Sequence, residues 1–492
     1  MMLLGFGGTR ISRVGAHLVF RTKGTVLARD IRGHLSGARD AGADFVYGDS
    51  IHFGPGPGSY FHQLRPGWSP ERLRSHCYVG DVVAASPEVV RAAGGRRFLA
   101  RLSSHDRALR LSEKAVHPMH VKELLYASNH ETRMPSADVE ATRGHCARTG
   151  IEADCTLANG GSVVRVSRVR RGSPRVAVVI PTRGSSTEVR GESRVMVVDA
   201  VRGLLNDLSY GNVEILVVAD VVTPGHIRDE LQRIGGEKLR IIDFEGEFNF
   251  ARKINLAAVQ TGAEYLLLVN DDIEIVSTDI IEELLSYMED DTVGLVGPLL
   301  TFEDGTVQSA GHLLNPAPFD LYRGYDPALC GGYNILHVAR EVSSVLAAFA
   351  MTRRSDFLAV GGLSPMFPGD YNDVDYALKL AKSGKRTIYT PHARCIHFES
   401  KTRRAAPHQP SIDLLGHRWR HVIENDPYGN TYLQRHEFIW KSNVDSPESL
   451  SDALGAEAEW DGTEWERLNA EDDPRLHRTR YFPRWVRMAT AQ

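Results

Sequence analysis

The chain has 492 residues, 42% of them hydrophobic and 24% charged, with a formal net charge of −4. That length exceeds one ordinary core and predicts two or three domains, and the near-neutral balance gives no global pull toward nucleic acid. Five scattered cysteines (Cys77, Cys146, Cys155, Cys330, Cys395) without a C-x-x-C pair argue for reduced thiols in a cytoplasmic protein, against a zinc site or disulfide framework.

In chain order, the opening MMLLGFGGTR has too short an apolar block for a signal peptide. Gly5 to Gly8 follow no clear strand, so they are not read as a phosphate loop. DFVYGDS predicts a short strand ending in Asp49, and GPGPGS at 54–59 a flexible turn. RPGWSPERL opens a helix with Ser69 as cap and Pro70 at its first position. CYVGDVVAAS reads as a second strand, SPEVVRAAGG as a capped helix ending at glycine, then HDRALRLSEKA as a helix and VKELLYA as a strand. Together they predict a small α/β unit over 1–135. Its Asp49, His105 and Asp106 are candidates for function, although isolated polar residues of this kind usually serve as caps or surface.

Residues 136–173 are rich in Arg, Gly and Ser and contain RVSRVRRGSPR. No aromatics interleave the charges, so the stretch is expected to be a solvated connector and not a nucleic-acid patch.

At Val176 the character changes. VAVVIPTRG is a continuous apolar strand, a helix covers about 193–208, and EILVVAD is a second buried strand ending at Asp220. HIRDELQRI predicts a helix, LRIIDF a third strand, and FNFARKINLAAVQTG a helix closed by Gly262. Short connections between alternating strands and helices indicate a doubly wound sheet with right-handed crossovers.

The fourth strand, EYLLLVNDDIE, is the centre of this reading. Its five apolar residues Tyr265 to Val269 run straight into Asn270, Asp271 and Asp272. Adjacent carboxylates at the end of a buried strand need a cationic partner, and this is the edge where open α/β sheets bind ligands. A hard divalent cation shared with substrate phosphates would serve. The bland alternative is that Asn-Asp-Asp caps the helix beginning near Thr278. No G-x-G-x-x-G follows the first strand and no Walker sequence occurs, which disfavours dinucleotide and P-loop readings.

Beyond it, VGLVGPLL is a strand, FEDGTV a tight turn, 315–340 a long loop, and SSVLAAFAMTRR a further strand or buried segment. In GDYNDVDYALKLAKSG, Asp370, Asp373 and Asp375 crowd a helix start, more acids than the macrodipole requires. RTIYTP is the last strand, and HARCIHFESKTR carries His392 and His397. His397 matters only if it returns to the Asp272 edge. HRWRHVIENDPYGNTYL predicts a helix over Trp419 to Asn425, and the acidic tail from Asp445 a partly ordered extension. No apolar run approaches the roughly 20 residues of a membrane span.

The ordered set VAVVIPTRG, EILVVAD, FNFARKINLAA, LLLVNDDIEI, VGLVGPLL with EDGTVQSAGH, VGGL, NDVDYALKL and IHFES resembles glycosyltransferase family 2. It is most similar to the bacterial enzymes that build rhamnose-containing or related surface polysaccharides. The resemblance covers residues 174–405 and implies a GT-A-type α/β fold, a doubly wound mixed sheet. It also implies a nucleotide-diphosphate sugar as donor, Mg²⁺ or Mn²⁺ as cofactor, and a glycan or lipid-linked acceptor. Asp220 then matches the acid that reads the nucleobase, with Thr182 and Arg183 nearby. Asp272 matches the metal ligand and Asp271 the sugar or ribose contact. Asn270 stands where many members carry another acid. Asp373 matches the catalytic base, preceded by Asn372 in place of an acid, and His397 a histidine completing the metal or diphosphate site. More faintly, DFVYGDS, RPGWSPERL, YVGDVVAASPEVVRAAGG and HDRALRL resemble the later half of a second such domain. Asp49 and Asp106 fall at its metal and base positions, and the nucleotide-binding half is absent, which implies a degenerate, non-catalytic partial domain.

The resemblance implies an inverting, metal-dependent transferase, cytoplasmic, with peripheral contact at the inner face of the membrane open. A sugar nucleotidyltransferase is the alternative, but PTRGSS only faintly echoes its Gly-rich loop. Against a non-catalytic scaffold stands the joint retention of Asp220, Asp272, Asp373 and His397.

Overall fold

The structure, a computed structural model, describes residues 9–53, 60–128, 137–315, 317–329, 331–398 and 409–430. They divide into two compact units: the described residues of 9–167 with 332–334 and 428–430, and those of 168–331 with 335–427.

The second unit is built on a ten-stranded sheet among the described residues. Its order is Leu239–Phe244, Val213–Asp220, Val176–Thr182, Tyr265–Val269, Phe349–Arg353, Val293–Thr301, Arg386–His397 and Ile273–Ile275, with two short strands off this path. The first four strands are parallel. They are the apolar runs expected of strands covered on both faces; every residue of Val176–Thr182 is buried. The next pairings are antiparallel, antiparallel, parallel and antiparallel, which makes the sheet mixed. The chain leaves Val176–Thr182 in one direction for its second and third strands. It then returns to the other side for Tyr265–Val269. That reversal is a topological switch point, where a crevice opens beyond the strand ends.

Three boundaries differ from the sequence reading. The helix expected over 193–208 is Met196–Asn206, because Glu192–Val195 pairs with Ser186–Val189 as a hairpin. Arg190 and Gly191 form its turn with φ of 52° and 80°, the double positive φ of a two-residue turn. RTIYTP does not end at its proline. The strand continues as Arg386–His397, and its register against Val293–Thr301 jumps between Pro298 and Leu299. Proline cannot donate to a ladder and is tolerated at such a bulge. The continued strand brings His397 opposite Ile273. The helix expected at Trp419 is longer, Gln409–Glu424, and buries Leu415 and Ile423 in a cluster with Leu314, Phe367, Val374 and Leu378.

The first unit carries a seven-stranded sheet ordered Thr9–Val14, His17–Thr22, Val82–Ala85, Phe45–Phe53, Pro118–Ser128 and Thr25–Leu27, with Tyr60–Gln63 beside Phe45–Phe53. Ser69 caps Pro70–Ser75 by accepting from the Arg72 N–H, as expected. The stretch expected as a solvated connector is instead ordered through residue 168. It forms the helix Val139–Thr149 and the paired strands Ala153–Ala158 and Val163–Arg168. Its apolar residues are few, yet Cys146, Cys155 and Val164 share a small core, too sparse a pattern to stand out among arginines. The 54–59 turn and the acidic tail lie outside the described residues.

Candidate active site

The switch point brings three polar strand ends together, and a cleft of about 750 Å³ opens beside them. Thr182, Arg183, Asp271, Asp272, Asp373 and His397 all line it. Asp220 is not in its wall but contacts Arg183, which is.

Thr182 ties the first strand to the fourth. Its Oγ1 donates to Asp271 Oδ2 at 2.6 Å and accepts from the Gly184 N–H at 2.9 Å. Gly184 has φ +69°, and a Cβ there would meet Thr223 Cγ2 at 2.8 Å, so this reversal requires glycine. Burial, then the neighbouring Asp272 charge, pushes the Asp271 carboxyl up to about 6, with Thr182 opposing.

Lys253 was missed by the sequence reading. Its Nζ sits 2.7 Å from Asp220 Oδ1 and donates to the Thr182 carbonyl at 2.7 Å, and the side chain is fully buried. Phe244 and Phe248 lie beneath the ammonium, and the Arg183 guanidinium stands over Phe248 at 5.2 Å. Burial lowers the Lys253 pKa and the Asp220 carboxylate resists that fall. A signal existed in the sequence: Lys253 shares the buried stripe of its helix with Ile254, Ala257 and Ala258. A cation on a core-facing stripe needs a buried anion.

Asp271 and Asp272 do not cap the following helix, which begins at Ile280 with Asp279 as its cap. Asp272 Oδ1 lies instead 3.1 Å from His397 Nε2. Burial would raise the Asp272 carboxyl, but His397 holds it below the usual carboxylate range. His397 is oriented by Gln308, a second residue the sequence reading did not single out. Nδ1 lies 2.8 Å from Gln308 Oε1, and Gln308 Nε2 donates back to the His397 carbonyl at 3.3 Å. An amide oxygen can only accept, so Nδ1 carries a hydrogen in either state of the ring; protonated, His397 pairs with Asp272, and with Nε2 deprotonated it would offer that nitrogen's lone pair on the Asp272 side. With Nε2 deprotonated, two acceptors 3.1 Å apart would suit neighbouring positions on one hard cation. Among the described residues no group of three such side chains forms a closed metal site. Protein alone would thus leave coordination positions open for water and phosphate. Gln308→Leu is expected to weaken Mn²⁺ affinity about 10–100-fold, checked by titration of the nucleotide-bound protein.

Asp373 opens the helix Asn372–Lys382, after Tyr371 in the left-handed region at φ 60°, a strained conformation of the kind found at functional sites. Its Oδ1 accepts from Val374 N at 2.8 Å and Oδ2 from Ala347 N at 3.3 Å. Burial raises its pKa. Asn372 donates to the Gly369 carbonyl at 3.1 Å, a bond that an ionised carboxylate could not make. Asp375 is fully buried and holds Trp419 Nε1 at 2.8 Å and Arg418 at 3.2 Å, which makes it a packing anchor. His312 and Asp320 also line the cleft and were not singled out from sequence.

Residues 178–359 match the family model described as Glycosyl transferase family 2. The chain carries a family 2 glycosyltransferase domain. Curated relatives include the O-antigen biosynthesis protein RfbC of Myxococcus xanthus, 30% identical over 388 residues, covering 75% of this chain and 30% of that protein. The uncharacterized protein y4gI of Sinorhizobium fredii (strain NBRC 101917 / NGR234) is 26% identical over 441 residues, covering 81% of this chain and 46% of that protein. The chain therefore spans less than half of the length of these relatives. Among solved structures, the mannosyltransferase PcManGT from Pyrobaculum calidifontis in complex with GDP-Man and Mn²⁺ is similar at 14% identity and a TM-score of 0.36, covering 65% of this chain and 85% of that one.

Within the glycosyltransferase domain, Phe349–Arg353, Val293–Thr301 and Arg386–His397 lie antiparallel then parallel. Val82–Ala85, Phe45–Phe53 and Pro118–Ser128 repeat that arrangement in the first unit, including a register irregularity in the parallel pair. Beside Val82–Ala85, however, stands an antiparallel hairpin, Thr9–Val14 with His17–Thr22, where the glycosyltransferase domain has its parallel strands. Asp49, expected at a metal position, sits inside a strand and is fully buried. The Arg65 N–H at 2.7 Å, His120 Nε2 at 3.0 Å and Asn430 Nδ2 at 2.8 Å all face its oxygens, so it is held by protein donors. Asp106 is paired with Arg110 at 2.9 Å one turn on, and His105 bridges the Leu73 carbonyl and the Asp138 N–H. All three are thus bonded to groups of the first unit itself.

Proposed function

We propose that this protein is an inverting, metal-dependent glycosyltransferase moving a sugar from a nucleotide-diphosphate donor to a hydroxyl of a glycan or glycolipid. The observation that carries the reading is one cleft holding both the Asp272–His397 pair and a separate buried carboxylate, Asp373. Asp373 takes the proton of the acceptor hydroxyl as its oxygen attacks the anomeric carbon and the bond to the diphosphate breaks. A pKa raised by burial brings a carboxylate closer to neutral pH, where a general base works best. Asp272 and His397 would hold Mg²⁺ or Mn²⁺. A divalent cation bound there supplies positive charge against the departing diphosphate. Asp220, fixed by Lys253 and Arg183, reads the nucleobase, and Asp271 with Thr182 contacts the ribose or sugar.

The relative's name, an O-antigen biosynthesis protein, supports a place in cell-surface polysaccharide synthesis. Among the described residues no helix is long and apolar enough to cross a membrane. Work at the cytoplasmic face, with peripheral membrane contact to reach a lipid-linked acceptor, fits the proposal. The first unit serves as a non-catalytic support; its residues expressed alone are expected to bind no sugar nucleotide.

The test is a binding and hydrolysis screen of UDP-, dTDP- and GDP-sugars with and without Mn²⁺. One donor is expected to bind only with metal, and Asp272→Ala to abolish that binding. Absence of binding by every donor under every metal condition would overturn the proposal.

A further inference from the structure

We infer that the His312–Asp320 ion pair is the positioning element of Asp373, a fixed imidazolium in the cleft wall that balances the charge of the base. The inference rests on the role proposed above for Asp373.

Its geometry is set by a small hairpin. His312–Leu313 pairs with Phe319–Asp320, and His312 is the register partner of Asp320. Directly opposed residues of an antiparallel pair hold their side chains side by side, and His312 Nε2 lies 3.2 Å from Asp320 Oδ1. Both side chains are nearly out of solvent, 7% and 13% exposed, and both line the cleft together with Asp373.

The hairpin is also fixed to the segment that holds the base. The His312 N–H donates to the Ser344 carbonyl at 2.8 Å. Leu314 N donates to Asp426 Oδ2 at 2.5 Å, and the other oxygen of Asp426 accepts from Ser343 at 2.8 Å. Three residues after Ser344, the Ala347 N–H is the donor to Asp373. One short loop therefore carries the backbone contacts of both the pair and the base.

The pair and the base share one cleft wall, where their charges act on one another. Burial would strip the proton from an isolated imidazole, but Asp320, and after it Asp373, hold His312 above its ordinary value. Asp320 is raised by burial and brought below its ordinary value chiefly by His312. For Asp373, His312 is the largest influence opposing burial, ahead of the Val374 and Ala347 N–H groups, while Asp320 acts the other way. Among the described residues, Arg323 lies 3.8 Å from Asp320, Asp370 and Tyr371 stand beside the base, Asp426 holds the hairpin, and Asp271, Asp272 and His397 share the cleft. A buried carboxylate without a nearby cation stays protonated to higher pH and then cannot accept the acceptor's proton. His312 itself transfers no proton in this arrangement.

A hairpin staple without electrostatic purpose would give the same packing but different titrations. The experiment uses the full chain as wild type, His312→Gln, Asp320→Asn and Asp373→Asn. Histidine ring resonances are followed by NMR across pH, and His312 is assigned as the signal missing in His312→Gln. Should that variant not fold, His312 is assigned as the signal whose midpoint drops in Asp320→Asn. The wild-type midpoint is expected above that of ordinary imidazole and to fall in both Asp320→Asn and Asp373→Asn. In parallel, the acid limb of the kcat profile is expected to move up by roughly one pH unit in His312→Gln. That is about a tenfold loss on the limb, recovering at high pH with donor KM unchanged. An unmoved His312 midpoint in Asp373→Asn overturns the inference, as does a kcat loss equal at every pH. The NMR comparison decides the inference even if no transferase activity is found, so the two readings fail separately.

Discussion

Replacing Asp373 by asparagine is expected to lower kcat about 10²–10⁴-fold, the range typical for loss of a general base. Metal-dependent donor binding is expected to survive. The substitution preserves shape, and an amide oxygen can still accept from Val374 N or Ala347 N, so the helix start should hold. Only the capacity to take a proton disappears. The pH dependence follows from the same burial. Because the Asp373 pKa is raised and the base must be ionised, wild-type kcat falls with decreasing pH from a point above the ordinary carboxylate range. That limb vanishes in Asp373→Asn. Steady-state kinetics across pH, with donor affinity measured separately, check both statements. A variant that loses donor binding in proportion to turnover would place Asp373 in donor recognition instead.

Lys253→Met is expected to be the most damaging single change to stability in the glycosyltransferase domain. It removes the cation 2.7 Å from Asp220 and leaves that carboxylate, only 5% exposed, facing a methionine. Breaking a buried pair from one side costs about 3–5 kcal/mol when the remaining charge is uncompensated; Arg183, 3.2 Å from the other Asp220 oxygen, places the expected loss toward the lower end of that range. The bond to the Thr182 carbonyl is lost as well, which loosens the strand end that positions Asp271. Chemical denaturation checks the magnitude. The double variant Lys253→Met with Asp220→Asn is expected to recover most of the stability, since no buried charge is left alone. It is expected not to recover donor affinity, which separates the structural contribution of the pair from its proposed contact with the nucleobase.

Much of the glycosyltransferase domain was legible in the sequence because its strands are covered on both faces. Runs such as VAVVI, EILVV and YLLLV tolerate no polar residue until the strand leaves the core, so the first polar residues mark the strand ends. That is why Thr182, Asp220 and Asp271–Asp272 were legible as the polar ends of buried strands. The first unit was less legible. Its opening strands Thr9–Val14 and His17–Thr22 mix arginine, serine and histidine with apolar residues, and a half-exposed antiparallel edge leaves only a weak alternation. Asp49 illustrates the limit of motif reading, since a lone acid after an apolar run looks alike whether it meets a cation or three protein donors.

The sequence by itself determined where the buried strands run, where they end, and which acids stand at those ends, because local patterning encodes burial. Tertiary structure alone decided which of these residues meet. His397 reaches Asp272 only because its strand continues through a bulge past Pro391. Lys253 finds Asp220 from a helix on a different part of the chain. His312 and Asp320 come to face the cleft with Asp373 through a hairpin of two-residue strands too short to leave a periodic trace. Periodicity reports which side of an element is buried; the partner on that side depends on strand order and register, which are set by packing across the whole sheet.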